Sequence, residues 1–309
     1  MSILAWALAL LGLAAVGFIL APWFAERMRN AMDTEEARAK APGKFAELPS
    51  GVTHYRWFGP EDGPIIVCVH GLSTPAFGFV GLATALSMKG WRVLTYDIYG
   101  RGYSDNNPQP QNLGFFLKQL DELLVDQGVT DKFTIFGYSM GGMIATGYTA
   151  RSPERVNQMM LIGPGGVIMP QERKRGLARV TNVPFFNRWL GIMIGGRSLR
   201  KYINAEIGAD PVRDRQIAQT HRRGFWPAIM SCQEHFFDEE FESKHKKIAA
   251  AGVPVLAIWA KQDQVIPIEA LGVLAQWNRG ARQEILEDAQ HGLTYSHPKE
   301  VAEFFLKNI

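Results

Sequence analysis

From Ile3 to Leu20 every position is apolar or glycine, and no ionisable side chain appears before Glu26. A helix over Ser2–Phe24 would be roughly 34 Å long at about 1.5 Å per residue, enough to cross a hydrocarbon layer of about 30 Å. Trp6, Trp23 and Phe24 stand near its two ends, where aromatic side chains settle at a membrane–water boundary. A cleaved secretory leader is the rival reading. The segment lacks Lys or Arg ahead of its apolar run, the run exceeds the usual 7–15 residues, and Ala21–Ala25 is a poor small-residue cleavage site. The pattern therefore predicts a single-pass transmembrane anchor over residues 1–25. Arg27 and Arg29 follow the span and no basic residue precedes it, which places the remainder of the chain on the cytoplasmic side.

Beyond the anchor the pattern changes twice. Residues 26–45 are charged and alanine-rich, include Pro42-Gly43, and read as a juxtamembrane linker. Apolar runs then alternate with helical stretches. The runs are Val52–Phe58, Ile65–Val69, Arg92–Tyr96, Phe133–Phe136, Met159–Ile162, Val255–Trp259 and Gln283–Leu286; the helical stretches include Phe79–Met88, Gly114–Gln127 and Gly142–Arg151. Continuous apolar strands alternating with helices predict an α/β fold, a mostly parallel sheet with helices on both faces. Active sites of such sheets gather at the carboxyl ends of the strands. Between residues 165 and 245 the strand signals stop, and aromatic and methionine residues without alternation predict a helical cap inserted between two core segments, 46–164 and 246–309. From Arg173 to Arg223 this insertion carries twelve Lys or Arg against Glu206, Asp210 and Asp214.

Composition narrows the class but does not choose within it. With 47% hydrophobic and 20% charged residues the chain has the make-up of a globular protein. A net charge of +3 gives no case for nucleic acid as a partner. Two cysteines, Cys68 and Cys232, cannot build a disulfide framework, and Cys68 lies in an apolar run as a small buried hydrophobe.

The chemistry is concentrated in Gly137-Tyr138-Ser139-Met140-Gly141. It follows a strand-like run and precedes small residues that open a helix. A chain turning that sharply has no room for side chains two positions either side of the serine, so glycine stands at both and the hydroxyl is held above the sheet edge. A serine nucleophile needs a base, a group that orients the base, and donors for the oxyanion. Asp263 comes just after the run Val255–Trp259, and His291 comes just after Gln283–Leu286. Ser139, Asp263 and His291 thus leave the sheet at one edge in the order Ser…Asp…His. Ile65–Val69 runs into His70-Gly71-Leu72, and Arg92–Tyr96 into Asp97-Ile98-Tyr99-Gly100-Arg101-Gly102-Tyr103-Ser104.

On His70-Gly71, Asp97-x-x-Gly100-x-Gly102-x-Ser104, Gly137-x-Ser139-x-Gly141, Asp263 before Val265-x-Pro267, and His291, the chain resembles the α/β-hydrolase family. The match is to its capped, lipase/esterase-like branch, of the monoacylglycerol-lipase type, and covers about residues 48–309. The resemblance implies an eight-stranded sheet, a triad of Ser139, His291 and Asp263, and an oxyanion hole from the N–H groups of Leu72 and Met140. It implies no metal and no organic cofactor. His70 becomes a loop-organising residue and the Asp97–Ser104 segment a buried turn, with Asp97 accepting backbone donors. Asp288 is the rival to Asp263. His54, His221, His235, His245 and His297 lack metal spacing and are expected on the surface or in the cap.

The expected activity is hydrolysis of carboxylic esters, with lipid-like acyl esters of monoacylglycerol or lysophospholipid type as substrates. The alternatives are a serine-dependent hydrolase of another bond, the C–C bond of a diketone or a small amide, and a non-catalytic membrane-tethered binding protein. Membrane contact is expected through the N-terminal helix. The cap adds two open readings. Arg173, Lys174, Arg175 and Arg179 either face anionic headgroups, each at about 1 kcal/mol, or form a solvated surface. Phe185, Phe186, Trp189, Ile192, Met193 and Ile194 either line an acyl path or form the cap's own core.

Overall fold

The computed structural model describes residues 2–168, 183–206, 208 and 212–309. Arg173, Lys174, Arg175 and Arg179 lie outside the described residues. Helix α1 (Ile3–Arg27) is capped by Ser2, whose hydroxyl accepts from the Ala5 N–H at 3.2 Å, and none of its residues is buried. It is long and apolar enough to cross a membrane. A short helix α2 (Glu35–Ala39), capped by Thr34, follows within the charged segment.

The sheet is built from β1 (Lys44–Leu48), β2 (Gly51–Phe58), β3 (Ile65–Val69), β4 (Arg92–Tyr96), β5 (Phe133–Tyr138), β6 (Val156–Ile162), β7 (Val255–Ala260) and β8 (Arg282–Leu286). Its eight strands lie in the order β1-β2-β4-β3-β5-β6-β7-β8. The β1–β2 and β2–β4 pairs are antiparallel, and every later pair is parallel. Strand β1 has no counterpart in the hydropathy pattern, which assigned residues up to 45 to a linker. Lys44 and Glu47 are exposed, only Ala46 and Leu48 are buried, and the strand is five residues long, so too short an apolar run marks it.

Alternation along the strands decides which helices cover which face. Ile66 and Cys68 of β3 pack with helix α3 (Val80–Ser87) and the C-terminal helix α12 (Pro298–Lys307), against Leu82, Leu86 and Phe305. Val67 and Val69 face the other way, toward α4 (Leu113–Asp126) and α5 (Met140–Arg151), against Leu120, Leu123 and Ile144. Burial on both faces is what a largely parallel sheet requires.

Between β6 and β7 the described residues form helices α6 (Pro184–Ala205), α7 (Arg213–Gln219), α8 (Phe225–His235) and α9 (Glu242–Ala250). Ile192 of α6 packs with Phe225, Trp226 and Ile229 of α8. Phe185, Met193 and Ile194 are exposed, and Trp189 stacks on Phe18 of α1. The apolar residues of α6 are therefore divided between the cap's interior, helix α1 and the surface. Several basic residues of the insertion bind carbonyls rather than forming a free cationic stripe. Arg222 is fully buried and donates to the Gly102 carbonyl at 2.8 Å, and Arg223 donates to the Arg27 carbonyl at 2.8 Å. From the anchor side, Arg29 donates to the carbonyls of Thr220 and Ile192.

Candidate active site

Ser139 sits where β5 ends and α5 begins, with φ of 53°, the one positive value at a non-glycine position among the described residues. That conformation is strained for an L residue and is held because the flanking positions carry no side chain. A Cβ on Gly137 would lie 2.5 Å from the Gly141 carbonyl oxygen, and one on Gly141 only 2.0 Å from the Val69 carbonyl oxygen. The turn thus forms only with glycine at both places. Backbone bonds fix it to its neighbours: the Ser139 N–H donates to the Ile162 carbonyl, and the N–H of Gly165 to the Ser139 carbonyl.

His291 and Asp263 meet Ser139 over the same edge. The His291 Nδ1 lies 2.7 Å from Asp263 Oδ2, and its Nε2 lies 2.9 Å from Ser139 Oγ. A carboxylate only accepts, so the proton on the ring belongs on Nδ1, leaving Nε2 free to accept from the serine hydroxyl. Asp263 is itself held: its Oδ1 accepts from the N–H groups of Val265 and Ile266 at 2.6 and 2.9 Å. Asp288 is elsewhere. Its side chain is 87% exposed, and its Oδ1 lies 3.8 Å from His297 Nε2 rather than near His291.

Leu72 and Met140 both line the cavity above Ser139. Met140 opens α5, so its N–H is one of the helix-start donors without an acceptor in its own helix. Leu72 lies in the loop after β3, and fully buried Arg101 holds that loop, its Nε donating to the Leu72 carbonyl at 3.2 Å. Arg101 also donates to the Tyr99 carbonyl at 2.9 Å, to Gln111 and to the Cys232 sulfur. This role leaves no mark in the linear pattern, where a buried arginine looks like any other.

His70 stands in the same loop, with Nδ1 toward the Gly71 carbonyl at 2.7 Å and Nε2 accepting from the Ile98 N–H at 2.9 Å. Burial pushes its pKa down to about 4, with Asp97 and the Gly71 carbonyl opposing. Asp97 accepts from the N–H groups of Ala76 and Tyr103 and pairs with His54 Nδ1 at 2.7 Å. Burial would raise the Asp97 carboxyl, but the His54 partner holds it below the usual carboxylate range. Burial alone would lower His54 as well, and the Asp97 charge reverses this and raises it. His54 corrects the expectation of a surface or cap position, being buried on β2 beside Asp97, and His245, the last residue of the expected cap, is also buried, on α9 beside the ring of Trp277 from α10 (Ala270–Trp277). Strand and helix parity outweigh residue polarity at these two positions.

The cavity above the serine has a volume of about 410 Å³. Most of its wall is apolar, with Met143, Leu199, Ile229, Met230 and Phe237 among the lining residues. One group is polar. Tyr295 donates to Glu206 Oε2 at 2.8 Å, while Gln216 Nε2 donates to Thr74 Oγ1 at 2.8 Å and to the Tyr295 hydroxyl oxygen at 3.2 Å. Burial pushes the Glu206 carboxyl up, and Tyr295, His291 and the Gly292 N–H partly offset this. Sequence reasoning missed this group. Its one signal was an acid, Glu206, isolated in a basic and apolar stretch.

Comparison with known proteins agrees with this architecture. Residues 64–298 match the model of the alpha/beta hydrolase fold family. The chain is 25% identical over 258 residues to a monoacylglycerol lipase abhd6-B of Xenopus laevis, covering 79% of this chain and 74% of that protein. It is 26% identical over 243 residues to a 2-hydroxymuconate semialdehyde hydrolase of Pseudomonas putida, covering 76% of this chain and 83% of that one. Among solved structures, a bacterial membrane phospholipase A superposes with a TM-score of 0.70 at 21% identity, over 98% of this chain and 96% of that chain. The family match spans the elbow and both loops that bring Asp263 and His291 to it, and the chain belongs to the α/β hydrolase fold family, as a hydrolase.

Proposed function

We propose that the protein is a membrane-anchored serine hydrolase that cleaves carboxylic esters of monoacylglycerol or lysophospholipid type. The observation that carries this reading is His291 lying within 2.9 Å of Ser139 Oγ and 2.7 Å of Asp263 Oδ2 at the floor of a largely apolar cavity. In the proposed cycle His291 Nε2 takes the hydroxyl proton as Ser139 Oγ attacks the ester carbonyl. Asp263 holds the required tautomer and stabilises the imidazolium. The N–H groups of Leu72 and Met140 receive the developing oxyanion, each such donor typically contributing about 10²–10³ in rate. His291 then protonates the leaving alcohol, and water repeats the sequence on the acyl-enzyme to release the acid.

The lipidic substrate is supported by the apolar wall, by α1 and by the Xenopus relative named as a monoacylglycerol lipase. The same reading divides the chain into an anchor (1–25), a connecting segment (26–45), a hydrolase core (46–164 and 246–309) and a cap (165–245). Arg27 and Arg29 support a cytoplasmic body. Labelling with a fluorophosphonate tests the chemistry: an adduct is expected on Ser139 and not in Ser139→Ala, and an unlabelled wild type sinks the proposal. A second reading has one specific support, the Pseudomonas relative named as a semialdehyde hydrolase. Cleavage of a diketone faster than any monoacylglycerol by the purified protein would favour it.

A further inference from the structure

The polar group beside His291 is out of keeping with the rest of the cavity, and its hydrogen-bond inventory is lopsided. Both Gln216 amide protons are engaged, on Thr74 and Tyr295, and the Tyr295 hydroxyl proton is engaged on Glu206. Two acceptors remain over: Glu206 Oε1 and Gln216 Oε1 are buried without a hydrogen-bond partner. Both residues are nearly inaccessible, at 4% and 3% exposure, and both line the cavity. Buried polar atoms normally have partners, so a cluster with surplus acceptors is complementary to a ligand that brings donors. The cluster also joins separate parts of the chain. Glu206 ends the segment after α6, Gln216 is on α7, Thr74 follows β3, and Tyr295 is on the short helix α11 (Leu293–Ser296) that begins two residues after His291.

Position decides which part of a substrate would meet it. On the ester-hydrolase reading, on which this inference rests, His291 must deliver its proton to the leaving oxygen, so the alcohol portion lies on the His291 side of the cavity. Glu206 is on that side: it accepts from the Tyr295 hydroxyl at 2.8 Å, and that hydroxyl oxygen lies 2.6 Å from where a Cβ on Gly292, the residue after His291, would stand. We propose that Glu206 and Gln216, held by Tyr295 and Thr74, form a subsite for the alcohol portion of the ester, and that it selects a leaving group with free hydroxyls, a polyol monoester. A methyl ester brings no donor to the two acceptors. A glycerophosphocholine leaving group keeps one hydroxyl where glycerol keeps two, its quaternary nitrogen brings no donor, and it adds a phosphate beside a buried carboxyl.

The test compares kcat/KM on three esters of one acid, 1-monolauroylglycerol, methyl laurate and lauroyl lysophosphatidylcholine, with the full-length protein in detergent micelles. The wild type is expected to favour the glycerol ester over both others. Glu206→Gln and Gln216→Leu are each expected to lower the glycerol-to-methyl ratio by tenfold or more. A ratio unchanged in both variants, even with both substrates slowed equally, overturns the subsite, as does a wild-type preference for the methyl ester or the lysophospholipid. Fluorophosphonate labelling separates this failure from that of the ester reading. A labelled enzyme that shows no preference loses only the subsite, whereas an enzyme that neither labels nor turns over any of the esters loses both.

Discussion

The indole of Trp189 stacks on the ring of Phe18 with centroids 4.4 Å apart, and its Nε1–H donates to the Phe18 carbonyl at 2.7 Å. The acceptor is available for a reason written in the sequence. In an α-helix the Phe18 carbonyl would accept from residue 22, and residue 22 is Pro22, which has no N–H. The cap helix α6 thus supplies the donor that helix α1 lacks. Trp189→Phe keeps an aromatic ring but removes the donor to the carbonyl, and is expected to destabilise the protein in detergent by about 0.5–1.5 kcal/mol. In a Pro22→Ala background the carbonyl regains a helical partner, and the same substitution should then cost little. Equal costs in both backgrounds, measured by denaturant melts, would show that the bond to Phe18 contributes nothing.

If α1 spans a bilayer, this contact fixes how the cap meets it. Phe18 precedes Phe24 by six positions, so it lies about 9 Å along the helix axis from the boundary marked by Trp23 and Phe24, at about 1.5 Å per residue. Helix α6 must then reach the apolar layer, with exposed Phe185, Met193 and Ile194 as its lipid-facing residues. Because Cys68 and Cys232 are both buried, a Met193→Cys variant carries a single accessible thiol. A nitroxide on it in reconstituted vesicles is expected to relax with oxygen more than with a water-soluble metal complex. The reverse order would place α6 in water and end the membrane-facing assignment of the cap.

Asp263 offers a sharper test of the triad than its removal does. Oδ1 faces two N–H donors, from Val265 and Ile266, so Asp263→Asn must turn its carbonyl oxygen to them and its NH₂ to His291. That amide can only donate, which forces the His291 proton onto Nε2 and leaves Ser139 without a base. The expected outcome is a fall in kcat of about 10³–10⁴ with melting temperature and KM nearly unchanged. A loss below tenfold would mean that Asp263 does not set the tautomer.

Legibility in the sequence followed physical rules. Ser139, Asp263 and His291 were readable because each stands a few residues past an apolar run, and parallel strands bring such positions to one edge. The elbow glycines were readable because steric exclusion leaves no other residue. Glu206, Gln216 and Tyr295 were not, since three residues on three helical segments meet only through cap packing, which leaves no period in the chain. His54 was misplaced because a histidine between Thr53 and Tyr55 reads as polar in the linear pattern. A buried partner from the loop after β4, Asp97, is what makes its burial tolerable.

The buried histidines make stability depend on pH in two opposing senses. His70 and His245 are each pushed by burial to about 4, so both stay neutral in the folded protein while the unfolded chain takes up protons below about 6.5. Their contribution is present above that pH and is lost as pH falls from about 6.5 toward 4, at up to about 1.4 kcal/mol per pH unit each. His70 cannot be protonated without losing its bond from the Ile98 N–H. His54 works the other way: raised by Asp97, it contributes fully below its unfolded pKa and loses this as pH rises through its folded one. His245 is the cleaner probe, because its Nδ1 has no hydrogen-bond partner and a phenyl ring can stack on Trp277 in its place. His245→Phe is expected to flatten the fall in unfolding free energy between pH 6.5 and 4.5 by about one proton's worth, with little change at pH 8. Urea melts at several pH values give the slopes, and parallel slopes for wild type and variant would show that His245 is charged where it is buried.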